Sequence, residues 1–325
     1  MKSPSDWHLC YAASAHRFAN HYLCYAQTHA HDFASLDQES ANFQTARVWL
    51  AVQDDSESAQ QIIAFTRALA VYLRQRALNN ELLAYCHGGL QACERLGVNQ
   101  GWVLLLQYEA HNALGDWDNA LTDAQAAIKA SRSADPINHA RAVLALGRLQ
   151  LNRGDYRLAL NTLATAEKLL YDLQDLDGIT TAKAEVAAYH LNRGELDQAL
   201  YLYLEVDQLR RRAGATSSAD HTLLMLGVVY RKKGDYQKAT GFLHELLRRG
   251  ELEENPGTVA TAAHHLAWVN MNQGNLGEAR RLGERAKQLY LEISDPRGAS
   301  DADEQLGLIA LSEGNTDVAL FHLKR

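Results

Sequence analysis

Gly154-Asp155-Tyr156-Arg157-Leu158-Ala159 decides the fold of this chain, because the same phrase returns along most of its length. It recurs as Gly115-Asp116-Trp117-Asp118-Asn119-Ala120, Gly194-Glu195-Leu196-Asp197-Gln198-Ala199 and Gly234-Asp235-Tyr236-Gln237-Lys238-Ala239. Two looser copies follow, Gly274-Asn275-Leu276-Gly277-Glu278-Ala279 and Gly314-Asn315-Thr316-Asp317-Val318-Ala319. Gly115 to Gly154 is 39 residues and every later interval is 40. A fixed period of this size marks stacked supersecondary units.

Each unit reads as a first helix of about 14 residues, the glycine phrase as a turn, and a longer second helix. The glycine suits a helix C-terminus with positive φ, the Asp or Asn after it suits the next N-cap, and the alanine five residues on permits close helix approach. Pro136, Pro256 and Pro296 each stand 18 residues before the next glycine, where proline ends one helix and pre-sets the next. Asp175-Leu176 holds that place without proline.

Working outward, a helix is expected from Leu9 to about Ala30, a break at Asp32-Phe33-Ala34-Ser35, and a second helix from Asp37 or Ser40 through Val52. A third should run from about Ser58 to Leu78 with Ser56 as N-cap, and a fourth from Glu81 to Leu96, with Asn79 where a glycine would open the turn. Equating Ala84 with Ala120 makes that pair a degenerate first repeat, as terminal units of solenoids commonly are. The expected organisation is an N-terminal helical segment over 1–56 and a solenoid over 57–325 of about seven helix pairs. The last pair is expected to be incomplete, because Arg325 falls part-way into its second helix.

Four prolines and 21 glycines in 325 residues, with abundant Ala, Leu, Gln, Arg and Glu, favour an all-α chain. A net charge of −7 argues against direct nucleic-acid binding, which calls for a basic surface. Cys10, Cys24, Cys86 and Cys93 form no Cys-x-x-Cys pair and read as structural thiols of a reducing compartment. The first residues lack a secretory pattern and no run of ~18 apolar residues occurs, so a cytoplasmic protein without membrane contact is expected.

The Gly-Asp-Tyr-x-x-Ala turn, with a small residue seven before its glycine (Gly147, Ala187, Gly227, Ala267, Gly307), resembles the tetratricopeptide repeat. The period exceeds the 34 residues of the standard unit and is similar to the longer repeats of bacterial signalling proteins. The resemblance implies a right-handed α-solenoid of antiparallel helix pairs, with first helices lining a concave wall. Upstream, His16-Arg17-Phe18-Ala19-x-x-Tyr22 and Leu36-Asp37-Gln38-Glu39-Ser40-Ala41-Asn42-Phe43-Gln44-Thr45-Ala46-Arg47-Val48-Trp49 are similar to the segment that begins the repeats in multidomain signal-transduction ATPases of the NB-ARC, or AP-ATPase, type. There the segment follows an NTPase module and a winged helix. This chain has no G-x-x-x-x-G-K-[ST] loop, so the resemblance implies the sensor part of such a switch or a stand-alone relative.

In the register of such repeats, positions 13, 10, 6, 3 and 2 before each glycine face inward. Asn152, Asn192 and Asn272 form one column, interrupted by Lys232; each amide offers both a donor and an acceptor to an extended peptide backbone. Asn also simply favours helix C-terminal turns, and that reading stays open. Trp268 and His264 are candidates for anchoring a ligand side chain or for packing between repeats, and Arg148, Arg231 and Lys232 for a basic stripe. The clamp known in some tetratricopeptide proteins is disfavoured, since the column six before each glycine (Glu109, Arg148, Ala188, Val228, Trp268, Leu308) has no asparagine. Arg210-Arg211-Arg212 and Arg248-Arg249 read as solvated cations at helix ends. His264-His265 and His29-x-His31 show neither metal-ligand nor nucleophile–base spacing, so no catalytic residue, metal or cofactor is expected.

The expected function is a non-enzymatic scaffold whose groove binds a peptide or protein segment, as the sensing arm of a bacterial signalling or transcription regulator. An NTPase domain of the same or another chain is a further expected partner. The alternative is a self-association module acting through the second-helix face or the last unit. A small-molecule sensor near Trp49, His16 and Tyr22 has no motif behind it.

Overall fold

The computed structural model describes residues 4–213 and 219–323, with side chains over 13–212 and 220–322. Among the described residues all regular structure is α-helical. The chain divides into two compact units, Met1–Gly178 and Ile179–Arg325.

The first unit opens with α1 (Pro4–Thr28), α2 (Phe33–Gln38) and α3 (Ser40–Ala51). The expected break at Asp32 to Ser35 is instead the start of α2, because the Asp32 carboxylate accepts from the Ser35 N–H and hydroxyl and caps the helix. Pairs follow: α4 (Ser56–Gln75) with α5 (Asn79–Leu96), α6 (Gly101–Ala113) with α7 (Trp117–Ser131), and α8 (Pro136–Asn152) with α9 (Tyr156–Asp172). The N-cap of α4 is Asp55 rather than Ser56, its Oδ1 accepting from Ser58 N–H at 2.8 Å. The positive-φ residue between α4 and α5 is Ala77, at 54°, rather than Asn79. Phe43, Leu50, Phe65, Leu69, Tyr85 and Cys86 form one continuous core under α1, α3, α4 and α5.

The second unit holds most of α10 (Leu176–Asn192), then α11 (Leu196–Ala213), α12 (Ala219–Lys232), α13 (Tyr236–Leu252), α14 (Pro256–Asn272), α15 (Leu276–Glu292), α16 (Pro296–Ser312) and α17 (Thr316–Leu323). Each helix packs on its successor from α11 onward, and α14 also touches α12 on one side and α16 on the other. These three are first helices of successive pairs and lie side by side as one face of the unit.

The glycine phrase acts as expected at its glycine and alanine, and only in part at its cap. Gly115, Gly154, Gly194, Gly234, Gly274 and Gly314 have φ between 75° and 84°. At Gly154 the Asp155 N–H donates to Gln150 C=O and the Gly154 N–H to Leu151 C=O, the Schellman pattern that satisfies the last carbonyls of α8. Ala120, Ala159, Ala199, Ala239, Ala279 and Ala319 are all at most 1% exposed, where the paired helices meet. Asp116 and Asp235 cap the following helix through their carboxylates, but Asp155 and Asn275 make no side-chain cap bond.

A second series of turns, at the ends of second helices, was hidden by its composition. Gln174, Glu254 and Ser294 take φ of 56°, 50° and 58°, each 20 residues after a phrase glycine. The residue after each cap-turn is Asp175, Asn255 or Asp295, whose side chain caps the next first helix. The arginines at second-helix ends are also more tied down than expected. Arg210 of α11 is buried and donates to Thr222 Oγ1, and Arg249 of α13 pairs with Asp220 at 3.1 Å, so the two brace the start of α12 from the helices on either side of it in sequence. Arg211 and Arg248 lie on the surface, paired with Asp207 and Glu245 of their own helices.

Candidate functional site

The face made by α12, α14 and α16 brings together Arg231, His264 and Trp268, three of the residues expected there. Arg231 stands in the last turn of α12, and His264 and Trp268 lie one turn apart on α14. The Trp268 Nε1–H donates to His264 Nε2 at 3.1 Å. The Arg231 guanidinium carbon lies 5.6 Å from the Trp268 ring centroid, within cation–π range. Indole N–H is only a donor, so His264 Nε2 must be the acceptor and the neutral ring carries its proton on Nδ1.

Two further residues complete the site, neither of them in the expected inward set. His265 packs edge-on to His264, with ring centroids 5.2 Å apart. Gln305 of α16 donates from Nε2 to the His264 carbonyl at 3.0 Å. Both stand nine residues before a phrase glycine, Gly274 and Gly314, at a register position that turns toward the neighbouring first helix. The shared offset was the available signal; His265 was noticed only as the neighbour of His264, and a single Gln carries none.

The site is polar, partly dry and incompletely bonded. Arg231 Nε, His264 Nδ1, His265 Nδ1 and Gln305 Oε1 are buried atoms without a hydrogen-bond partner. Gln305 is fully buried with its Oε1 toward Gly283 of α15, but the other three atoms belong to the neighbouring Arg231, His264 and His265. Buried polar atoms are nearly always paired, so these three mark a surface organised for something else to bind. Burial pushes the His264 imidazole below its ordinary value; Asp301 on α16 opposes the shift and Arg231 reinforces it. Burial, then His264 and Arg231, push His265 down to about 3. Burial also lowers the Arg231 guanidinium, with Tyr236 opposing. At neutral pH the cluster therefore holds one cation and two neutral imidazoles.

The asparagine column lies in exposed positions. Asn192 and Asn272 are the last residues of α10 and α14 in the second unit, with exposed Lys232 ending α12 between them in sequence. Asn152 is the exposed last residue of α8 in the first unit, where its Nδ2 donates to Asn112 Oδ1 at 3.4 Å. Asn112 was missed because the 39-residue interval shifts it to three before Gly115, although it stands 40 residues before Asn152. Arg148 is half-buried on α8 of the first unit. In that unit the His16 and Trp49 rings meet edge to face at 4.7 Å, a packing contact between α1 and α3.

Cys86 and Cys93 are buried, and burial pushes the Cys86 thiol up to about 12. Cys24 is exposed, and the Cys10 side chain lies outside the described residues. No helix among the described residues is long and apolar enough to cross a membrane.

Comparison with known proteins agrees with this architecture. Residues 259–297 match the tetratricopeptide repeat family model. The apo form of the quorum sensor NprR from B. thuringiensis superposes with a TM-score of 0.71 at 13% identity, covering 94% of this chain and 85% of that one. A signal transduction ATPase with numerous domains (STAND) that carries a tetratricopeptide repeat sensor, from Pyrococcus horikoshii, gives 0.64 at 14% identity, covering 88% of this chain. This chain spans 45% of that protein's length. A Rap protein complexed with competence and sporulation factor gives 0.58 at 12% identity over 92% of this chain and 99% of that one. No curated protein matches by sequence. The matched repeat, the 40-residue period and the shared architecture give this chain an α-solenoid fold like that of tetratricopeptide-repeat proteins.

Proposed function

We infer that this chain is a non-catalytic scaffold that binds a peptide or protein segment on its first-helix face. In this reading it is the sensing arm of a bacterial signal-transduction or transcription regulator, coupled to an NTPase domain of its own or another chain. The observation that carries the reading is the cluster of Arg231, His264, His265 and Trp268, where three buried polar atoms lack partners around an indole. Such a surface combines an aromatic anchor with directional polar groups, the composition of binding hot spots. The likeness to NprR and to a Rap protein in complex with a signalling factor supports a peptide as ligand. The likeness to the STAND protein supports the link to an NTPase. Within this reading Asn192 and Asn272 hold ligand backbone and Lys232 attracts acidic residues, while Arg148 and Asn152 serve the same roles on the first unit.

A random peptide library displayed on phage and selected against the immobilised chain tests the reading. Selected peptides, measured by fluorescence anisotropy, should lose roughly tenfold or more in affinity on Trp268→Ala, as a hot-spot residue does. No enrichment, or unchanged affinities in a folded Trp268→Ala variant, would sink it. Self-association is the second reading, favoured by Val318, Leu320 and Phe321, which are exposed on α17. Sedimentation velocity over a concentration series decides it: a dimer abolished by Leu320→Glu supports self-association, and a monomer throughout removes it.

A further inference from the structure

Arg231 is a half-buried cation that carries no ion pair among the described residues. Its neighbours in the repeat array differ. Arg141 on α8 is paired with Asp175 at 2.8 Å, and Arg193, just after α10, with Glu195 at 2.8 Å. A charge partly withdrawn from water is unfavourable unless an opposite charge or full hydrogen bonding replaces the lost hydration. The Trp268 ring offsets only part of this, and it covers one face of the guanidinium while Nε stays unpartnered.

The groups around Arg231 narrow what would complete it. His264 presents an Nδ1–H donor, fixed in that tautomer because Trp268 occupies Nε2. His265 is neutral beside it and adds no second positive charge. The titratable groups that bear on the two imidazoles are Arg231 of α12 and Asp301 of α16, and Tyr236 of α13 bears on Arg231. Arg231 thus offers one full positive charge beside at least two N–H donors, with the Asp301 carboxylate acting from the α16 side. That set matches a singly charged, planar, two-oxygen acceptor. A dianionic phosphoryl group would bring a second negative charge toward Asp301, and guanidinium is the side chain whose fork fits carboxylate geometry.

We propose that Arg231, His264 and Trp268 form the anchor for a carboxylate of the bound peptide: Arg231 pairs the charge, His264 donates from Nδ1, and the Trp268 ring covers the adjoining carbon chain. Gln305, fully buried with its Oε1 toward Gly283 of α15, supports the anchor from behind by its hydrogen bond to the His264 carbonyl. This deepens the peptide-binding reading and rests on it for the identity of the ligand, though not for the anchor itself. The carboxylate belongs either to the peptide's C-terminus or to an Asp or Glu side chain, and the probes below separate the two.

The test uses the full chain labelled with 13C in the histidine rings and 15N in the tryptophan indoles. His264 and Trp268 resonances are assigned by their loss in His264→Gln and Trp268→Phe. Three probes are titrated: N-acetylleucine, N-acetylaspartic acid α-amide, and N-acetylleucine methylamide, which has no carboxylate. The expected result is saturable movement of both resonances with one or both acids and none with the methylamide. Movement with N-acetylleucine alone identifies a C-terminus, and movement with the aspartate probe identifies a side chain. Arg231→Gln should weaken the acid about tenfold or more, the scale of one charge-assisted hydrogen bond, with unchanged far-UV dichroism. Equal movement with acid and methylamide, or no movement with either acid, overturns the anchor, and that comparison needs no variant. The two readings fail separately: selected peptides that bind Arg231→Gln unchanged leave peptide binding standing without the anchor. Acid probes that move His264 while no peptide is selected leave the anchor standing alone.

Discussion

Replacing Gly227 by alanine adds a single methyl group, and the structure shows where it would go. A Cβ at Gly227, inside α12, would lie 2.6 Å from Leu243 Cγ and 2.7 Å from its Cδ2 on α13. Leu243 is fully buried and has no room to retreat. Gly147 stands in the same relation to Leu163, with 2.7 and 2.8 Å. Where alanine occupies this column, at Ala187 and Ala267, the residue sixteen further on is Tyr203 or Gly283 instead of leucine. Alanine in a helix interior is favoured over glycine by about 1 kcal/mol, whereas overpacking a tight core costs roughly 1–3 kcal/mol. Gly227→Ala should therefore destabilise the chain by about 1 kcal/mol, the balance of those two effects. In a Leu243→Ala background, itself destabilised by roughly 2–5 kcal/mol, the clash is gone and the same change should stabilise by about 1 kcal/mol. Urea titrations of the four proteins by far-UV dichroism give the cycle, with slopes compared because repeat arrays can lose cooperativity. The expected coupling is about 2 kcal/mol; a cycle additive within about 0.5 kcal/mol would refute the idea that glycine stands here to admit leucine.

Acid should weaken the second unit before its carboxylates titrate. His265 is neutral when folded, with a value near 3 against an ordinary 6.5, so the unfolded chain binds the extra proton. Its contribution is fully present above pH ~6.5 and falls by roughly 1.4 kcal/mol per pH unit below that. Urea midpoints at pH 7.5 and 5.5 should converge in His265→Gln; an unchanged pH slope would contradict a buried neutral ring. Asp175 is paired with Arg141 and caps α10, and those bonds hold its carboxyl below the usual range. Asp175→Ala should cost roughly 2 kcal/mol in the same titration, because it leaves Arg141 without its partner and α10 without its cap. Asn192→Ala with Asn272→Ala should lower the affinity of selected peptides about tenfold with dichroism unchanged, at about 1 kcal/mol per lost hydrogen bond. Full affinity in that folded double variant would return the column to a turn-forming role. Iodoacetamide on the native chain, followed by peptide mapping, should modify Cys24 and spare Cys86 and Cys93 until the chain is denatured. Modification of Cys86 in the native chain would count against its burial.

The architecture was legible in the sequence because repetition makes each weak local signal additive. One glycine with an alanine five residues later means little, but six in register fix helix ends, turn conformations and the buried contact of each pair. Upstream of Gly101 no such register exists, so Asp32 passed for a breaker although it caps α2, and Asn79 passed for a turn residue although Ala77 turns. The turns at Gln174, Glu254 and Ser294 were illegible for another reason. Those residues adopt a conformation that their side chains do not favour, and the helices on either side impose it.

The candidate site divides along the same line. From the sequence alone, Arg231, His264 and Trp268 could be placed on first helices at inward positions of the period. Only the tertiary structure could join Arg231 to the α14 residues and these to Gln305, because α12, α14 and α16 lie about 40 residues apart in the chain and meet only once the pairs are stacked. A missing partner is likewise a property of three-dimensional surroundings. The sequence shows that Arg231 is a cation; it takes the packed face to show that no carboxylate among the described residues pairs with it.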